Sequence, residues 1–435
     1  MLSRRTLLAA TAVLAAGCGG LEFSLPSLGS PGVTALTWVS RPIPDLYTGP
    51  GIASFETKLR RMERNLADET ESPFGPARGR YSLALQYFDL YAGSYSDPDA
   101  EEFRKPEHLA AWLEETEVDL VTVWPDEARA LGEMGVLLPL DRFGGADGSD
   151  FEQDFYSSVL DPYQENGTLY ALPVDARPLM LHYDVDYFAQ VGVAPPDSSW
   201  DWDVLVENAL KLTQREEDGT VSRWGLEAHS GMIWWVLWQN EAEMVDPLTL
   251  QCQLQESAAI EALEFFRGLI HTHRVSPAAH GTDLSRLVYG PSSSRPAMMY
   301  RGGNLRYSRS NFRRADLPRG KVRSMPVSTF PGIAIVAQTA KPEVAYTALR
   351  GLLKTMQPYV GVPSEREAVA RLGQIRPDLQ PEEVTAIQQS MEHGRARPDD
   401  VAQHRAMYGL VESLVRGDEV SSAINQACSV LYENR

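Results

Sequence analysis

The chain has 435 residues, 43% of them hydrophobic, and a formal net charge of -19. A chain of this length buries a large core, and beyond roughly 250–300 residues one core divides into domains, so two lobes are expected. The acidic balance argues against a nucleic-acid surface, which needs clustered Lys and Arg to neutralise phosphates.

The N-terminus reads MLSRRTLLAATAVLAAGCGG, with a short basic region, an apolar run from Leu7 to Ala16 and small residues before Cys18. That pattern is an export signal, and the run is shorter than the roughly 18 residues of a transmembrane helix. Ser3 to Leu8 resembles a twin-arginine export motif. Ala15-Ala16-Gly17-Cys18 resembles the bacterial lipobox, although Leu14 stands four residues before the cysteine rather than three. Residues 1–18 are thus expected to be a signal peptide with lipobox, and Cys18 the lipidation site that holds the chain at a membrane. An ordinary cleaved signal peptide with an incidental cysteine is the alternative. Residues 19–32, rich in Gly, Ser and Pro, are expected to form a flexible tether.

Two further cysteines, Cys252 and Cys428, remain. An oxidising compartment permits them to pair, provided that their Cα atoms approach within about 7 Å. Two buried free thiols are the alternative reading.

Along the chain, Val33 to Ser40 and Ser82 to Phe88 have strand composition, with an amphipathic segment near Ala53 to Ala67 between them. A helix is expected near Pro106 to Thr116, followed by the apolar strand Leu120 to Trp124. Strands alternating with helices imply a parallel sheet covered on both faces. Helices then dominate, at Val185 to Val191, Trp200 to Thr213 and Glu256 to His273. In the last, Ile260, Leu263, Phe266 and Ile270 are expected to face a core. Ile333 to Ala337 returns to strand, and Pro342 opens a helix whose Ala345, Ala348, Leu349, Leu352 and Met356 share one face.

Five phrases in this order resemble the extracellular solute-binding protein family 1, the sugar-type binding proteins of ABC importers. They are Val118 to Asp141, Gly167 to Asp175, Asp184 to Asp201 with its Gly192-Val193-Ala194-Pro195-Pro196, Ala297 to Gly303, and Val362-Pro363-Ser364. The resemblance implies an α/β, two-lobed periplasmic-binding-protein-like fold of type II, with a ligand cleft between the lobes and hinge crossovers. Lobe one would comprise 33–172 and 334–361, and lobe two 173–333 and 362–435. It further implies a monomer that captures a small solute, foremost a mono- or oligosaccharide, and hands it to ABC permease subunits in the membrane. Polyols, glycerol phosphates and other polar solutes are the alternative cargo.

Sugar recognition needs flat aromatic surfaces and planar polar groups, because every buried polar group must be paired. Trp124 and Asp126 follow the apolar strand, where the family places an aromatic and a polar contact; packing of Trp124 in the core and helix capping by Asp126 are the alternatives. Asp175 and Arg177 lie past the first crossover and offer an acceptor and a fork of donors, or else an interlobe salt bridge. Trp234, Trp235 and Trp238 sit in MIWWVLWQNE, with Trp234 and Trp238 on one helical face and Gln239 beside them. An aromatic stripe at that spacing is more often core, so one or two of the three are expected at the ligand. Gly303 and Asn304 close the Gly-containing turn, where many oligosaccharide binders carry a Trp instead. Phe330 is a candidate aromatic wall or a cover for the hinge.

No cofactor is expected, and none of the common hydrolase, phosphate-loop or dinucleotide motifs occurs. His271, His273 and His280 are the one metal-like cluster in the sequence, but their place at a helix end suits the helix dipole better than zinc. Asp184 and Asp186 are the carboxylate pair that a polysaccharide hydrolase would need; two residues apart at a helix start, they read as cap and first-turn charge. The expected protein is therefore not an enzyme, the alternatives being a lipid-anchored hydrolase or a binding subunit that senses rather than transports.

Overall fold

The computed structural model describes residues 33–40, 80–87, 105–145, 150–229, 231–279, 296–302, 311–329, 331–357, 360–398 and 400–433. Cys18, the tether and the amphipathic segment near Ala53 to Ala67 lie outside them. The strands among these residues, in chain order, are β1 (Val33–Ser40), β2 (Arg80–Tyr87), β3 (Leu120–Val123), β4 (Gln164–Glu165), β5 (Thr168–Leu169), β6 (Ala171–Pro173), β7 (Asp175–Asp184), β8 (Gln214–Arg215), β9 (Val221–Arg223), β10 (Met298–Gly302), β11 (Phe312–Ala315), β12 (Met325–Thr329), β13 (Gly332–Ile335), β14 (Val362–Pro363) and β15 (Gly394–Ala396).

Two main sheets result. The first has the order β2-β1-β3-β13-β6, with β1 parallel to both β2 and β3, and β13 antiparallel to β3 and β6. All four residues of β3 are buried, which explains why that strand reads as a continuous apolar run rather than an alternation. The second sheet has the order β10-β7-β12-β15, with β11 and β14 also paired to β7. Ten-residue β7 is its spine, pairing with β14 and β12 near its start and with β10 and β11 towards its end.

Alternation along β7 covers the second sheet on both faces. Leu179 and Leu181 join the core built around the helices Met232–Gln239 and Ser257–His271. Ala176 and Met180 join the core of the first sheet, which continues through Val362, Ile387 and Met391. Helix Pro381–Glu392 lies against β11 and β7. There Arg314 Nη1 meets Glu383 Oε1 at 2.9 Å, with both side chains buried.

Local chemistry accounts for the helix ends. Asp184 Oδ1 accepts the Tyr187 N–H at 3.2 Å at the start of helix Val185–Val191, the capping role expected from its position. Gly192 ends that helix in the left-handed region at φ 78°, a conformation glycine adopts at no steric cost. Ala345, Ala348, Leu349, Leu352 and Met356 are all fully buried on helix Pro342–Met356, as their spacing predicts.

One face was misread. Ile260 is 39% exposed, and the buried stripe of helix Ser257–His271 is Ala259, Ala262, Leu263, Phe266, Leu269 and Ile270. A one-residue offset rotates a side chain by about 100°.

Cys252 and Cys428 form a disulfide with Cα atoms 5.6 Å apart. The bond joins the short antiparallel bridge Val245–Cys252 to the last helix, Val420–Glu433, and replaces the alternative of two free thiols.

Candidate functional site

Among the described residues the chain passes between the two sheets three times, and the passages lie side by side. β6 leads into β7 through Val174, β12 is followed by Pro331 and β13, and β14 follows helix Pro342–Met356 onto β7. Val174 donates its N–H to Pro331 O at 3.0 Å. Ser364 donates its hydroxyl to Pro173 O at 2.6 Å. Val362 and Pro363 stand opposite Ala176 and Asp175. The crossover phrases found in the sequence are these strand junctions.

The register places the candidate residues. In the first sheet Val123, Gly332 and Pro173 form one row, so Trp124 emerges beside the second crossover and next but one to the first. Trp124 is half-buried and belongs to neither core. It stands immediately before helix Pro125–Glu133, and its own N–H donates to Glu127 Oε2 at 2.9 Å. The buried Glu127 is the capping side chain, while Asp126 is exposed.

In the second sheet Asp175, fully buried, accepts from Arg177 Nε at 3.0 Å. The bridge lies within one strand, between residues on the same face of β7, rather than across the lobes. Half-buried Ser328 is opposite Arg177 on β12. Gly302, at the end of β10, lies against Arg177 as well: a Cβ there would be 3.9 Å from Arg177 Cβ. Trp124, Asp175, Arg177, Ser328 and the end of β10 are thus gathered around the crossovers. Gly303, Asn304 and Phe330 lie outside the described residues.

The tryptophan helix occupies a different place. All eight residues of Met232–Gln239 are buried, as expected of a helix apolar on every side. Trp234 and Trp238, with ring centroids 5.7 Å apart, and Trp235 belong to the second core. Trp238 Nε1 donates to Glu243 Oε2 at 3.0 Å, and Arg395 lies over its ring. Gln239 accepts from Trp202 Nε1 at 3.1 Å and donates to Ser324 O at 3.4 Å, bracing the loop that enters β12.

The start of that helix faces β10: His229 Nδ1 accepts the Gly231 N–H at 2.8 Å, and His229 Nε2 is 3.0 Å from Tyr300 O. Burial, with the charge of Glu227 adding to it, pushes the Tyr300 phenol well above the usual tyrosine range. Ser328, Glu127 and His229 escaped the sequence reading because each is defined by a partner distant in sequence or by a backbone cap.

The other titratable clusters have structural partners. Asp184 Oδ2 pairs with Arg223 at 2.6 Å, and His271 Nε2 is 2.8 Å from Leu414 O at the far end of its helix. Among the described residues no group of His, Cys, Asp and Glu is arranged to hold a metal ion, and no helix is long and apolar enough to cross a membrane.

Among the described residues, the two sheets are thus joined by three neighbouring strand connections. Residues 113–269 match the bacterial extracellular solute-binding protein family. That segment runs from the end of helix Pro106–Glu114 through the first crossover to the helix Ser257–His271 of the second core. Solved binding proteins share the fold over nearly the whole chain. The sugar-binding protein MalE from Xanthomonas citri is 14% identical with a TM-score of 0.67, covering 92% of this chain and 98% of its own. The cyclic α-maltosyl-1,6-maltose binding protein from Arthrobacter globiformis is 15% identical with a TM-score of 0.67, covering 92% and 99%. UgpB from Mycobacterium tuberculosis, solved with glycerophosphocholine, is 20% identical with a TM-score of 0.62, covering 93% and 99%.

Proposed function

We propose that the protein is an extracytoplasmic solute-binding protein that captures a neutral mono- or oligosaccharide between its lobes and delivers it to an ABC importer. The observation that carries this reading is the set of three adjacent crossovers with a half-buried tryptophan at their edge. A hinge of adjacent antiparallel strands lets the lobes rotate, and a ligand touching both lobes stabilises the closed arrangement. In this reading Trp124 supplies the stacking surface, while Asp126, Arg177, Ser328 and the turn at Gly303 and Asn304 meet hydroxyls. Phe330 forms the hinge wall. Asp175 holds Arg177 in place, and Trp234, Trp238 and Gln239 support the site from the second core.

Charge favours a neutral cargo. The carboxylate of Asp175 already pairs with Arg177 and that of Asp184 with Arg223, so these cations are not surplus charge awaiting a phosphate. The ligands of similar folds range over cycloalternan, maltose, ribitol and glycerophosphocholine, which keeps polyols and glycerol phosphates in the screen. Cys18 anchors the exported monomer by lipid, and no catalytic step is assigned. The lobes divide at the crossovers, 33–172 with 334–361 and 173–333 with 362–435.

Thermal unfolding of the purified protein against neutral sugars, polyols, and phosphorylated and charged solutes tests the proposal. A ligand at about a hundred times its dissociation constant adds about 2.7 kcal/mol to stability, a visible rise in Tm. Stabilisation by a sugar that is recovered intact supports the reading. Stabilisation by another solute alone removes the sugar, and consumption of the compound makes the protein a hydrolase.

A further inference from the structure

β15 borders the second sheet, parallel to β12, with Ala396 opposite Val327. The ladder continues for one more bond, the Arg397 N–H donating to Val327 O at 2.9 Å. Arg397 therefore stands alongside Ser328, which is itself opposite Arg177 on β7. Facing residues of neighbouring strands project to the same side of a sheet. Arg177, Ser328 and Arg397 thus form one polar row at the crossover end. Two residues before Arg397, and on the same side by the period of a strand, Arg395 lies over the Trp238 ring.

The cations of this region differ in how their charge is met. Arg177 pairs with Asp175 at 3.0 Å and Arg395 with Glu243 at 2.8 Å. No carboxylate or other acceptor among the described residues engages the Arg397 guanidinium. Its side chain is open to solvent. Surrounding protein nevertheless desolvates it enough to draw the guanidinium below its usual range, with the Tyr408 phenol opposing that shift. Both conditions hold for a side chain on the wall of a recess rather than on a convex surface. Tyr408, on helix Val401–Arg416 and 53% exposed, offers an aromatic surface nearby.

We propose that Arg397 is a specificity-determining residue of the solute site, its guanidinium fork taking two adjacent hydroxyls of a sugar ring beside Ser328. This rests on the reading of the protein as a binder of neutral saccharides and narrows it to sugars with a free vicinal diol. The chemistry of the row matches that group. A guanidinium only donates, through a planar fork of N–H groups, whereas a serine hydroxyl both donates and accepts. Two neighbouring sugar hydroxyls offer lone pairs to the fork and a proton to Ser328. An anionic group is the other natural partner of an unpaired guanidinium. The field of a chain with net charge -19 opposes a free anion, however, and steadies a lone cation without one.

The test is titration calorimetry of the purified protein with glucose, maltose, cellobiose, lactose and trehalose, with the mono-deoxy analogues of each sugar that binds, and with glucuronic acid and inorganic phosphate. The native protein should bind one neutral sugar about tenfold or more tightly than the analogues lacking either of two adjacent hydroxyls. Arg397→Met should lose that preference while its Tm without sugar stays unchanged. Arg397→Lys should not restore it, because an ammonium keeps the charge but not the fork. If Arg397→Met binds every sugar and analogue as the native protein does, Arg397 lies outside the site and the binding function stands. A fall in its sugar-free Tm with the preference intact makes the residue structural and overturns the proposal. Tighter binding of glucuronic acid or phosphate than of any neutral sugar, retained in Arg397→Lys, overturns the diol in favour of an anion. If no neutral sugar binds, the saccharide reading falls and this subsite falls with it.

Discussion

Gly332 lies against the ring of Tyr163: a Cβ built on it would stand 2.5 Å from Tyr163 Cε1. The second crossover therefore enters the first sheet through a gap that only a residue without a side chain can use. Tyr163 is fully buried, so its ring has no room to retreat. Gly332→Ala is expected to cost about 1–3 kcal/mol through overpacking, read as a lower urea midpoint with an unchanged slope.

The disulfide between Cys252 and Cys428 closes a loop with a sequence separation of 176. In the chain-entropy account, a bond across so long a loop stabilises by about 4–5 kcal/mol. Reductant should lower the urea midpoint of the native protein, and the doubly substituted Cys252→Ser, Cys428→Ser protein should show the same low midpoint with or without it. Equal midpoints for all samples would mean that the core alone holds the C-terminal helix.

Arg314 and Glu383 share a buried contact between the second sheet and helix Pro381–Glu392. Burial pulls the Arg314 guanidinium below its usual range, with Glu383 opposing the shift. Glu383→Ala should destabilise by about 3–5 kcal/mol, because it leaves a buried cation without its counter-charge. The double variant Arg314→Met, Glu383→Ala should recover part of that loss in the same denaturation measurement.

Trp124 and Trp234 should separate binding from folding. Trp124→Ala is expected to weaken solute binding about tenfold, equivalent to about 1.4 kcal/mol, with little change in Tm. Trp234, 1% exposed in the second core, should behave in reverse: Trp234→Ala costs about 3–5 kcal/mol of stability. Parallel titration calorimetry and thermal unfolding of the two variants checks both halves, and normal affinity in Trp124→Ala would remove that residue from the site.

Much of this was legible from the chain. β1 begins and ends where its composition placed it, and the crossover phrases at Gly167 to Asp175 and at Val362 to Ser364 are strand junctions. Periodicity identified the buried face of helix Pro342–Met356 residue by residue, yet slipped by one position at Ile260. Trp124 and Trp234 were both candidate ligand contacts, the second in a stripe that is more often core. What separates them is that one stands half-buried between a strand and a helix and the other lies in a helix covered on every side.

Order and burial pattern are properties of the sequence itself, because the periods of helix and strand turn a local string of apolar residues into a face. They determined the alternation of elements, while chain length implied two lobes and the crossovers were implied by the family resemblance of the phrases that carry them. Partnership is different. That Cys252 bonds Cys428, that Glu127 rather than Asp126 caps the helix after Trp124, that Ser328 stands opposite Arg177, and that Arg350 reaches between Asp154 and Glu365 depends on atomic distances. Most of these contacts join residues far apart in the chain, where sheet register and helix packing set the distance and no local pattern carries it; the cap depends on which of two adjacent carboxylates turns back to the backbone, and only the tertiary structure decided it.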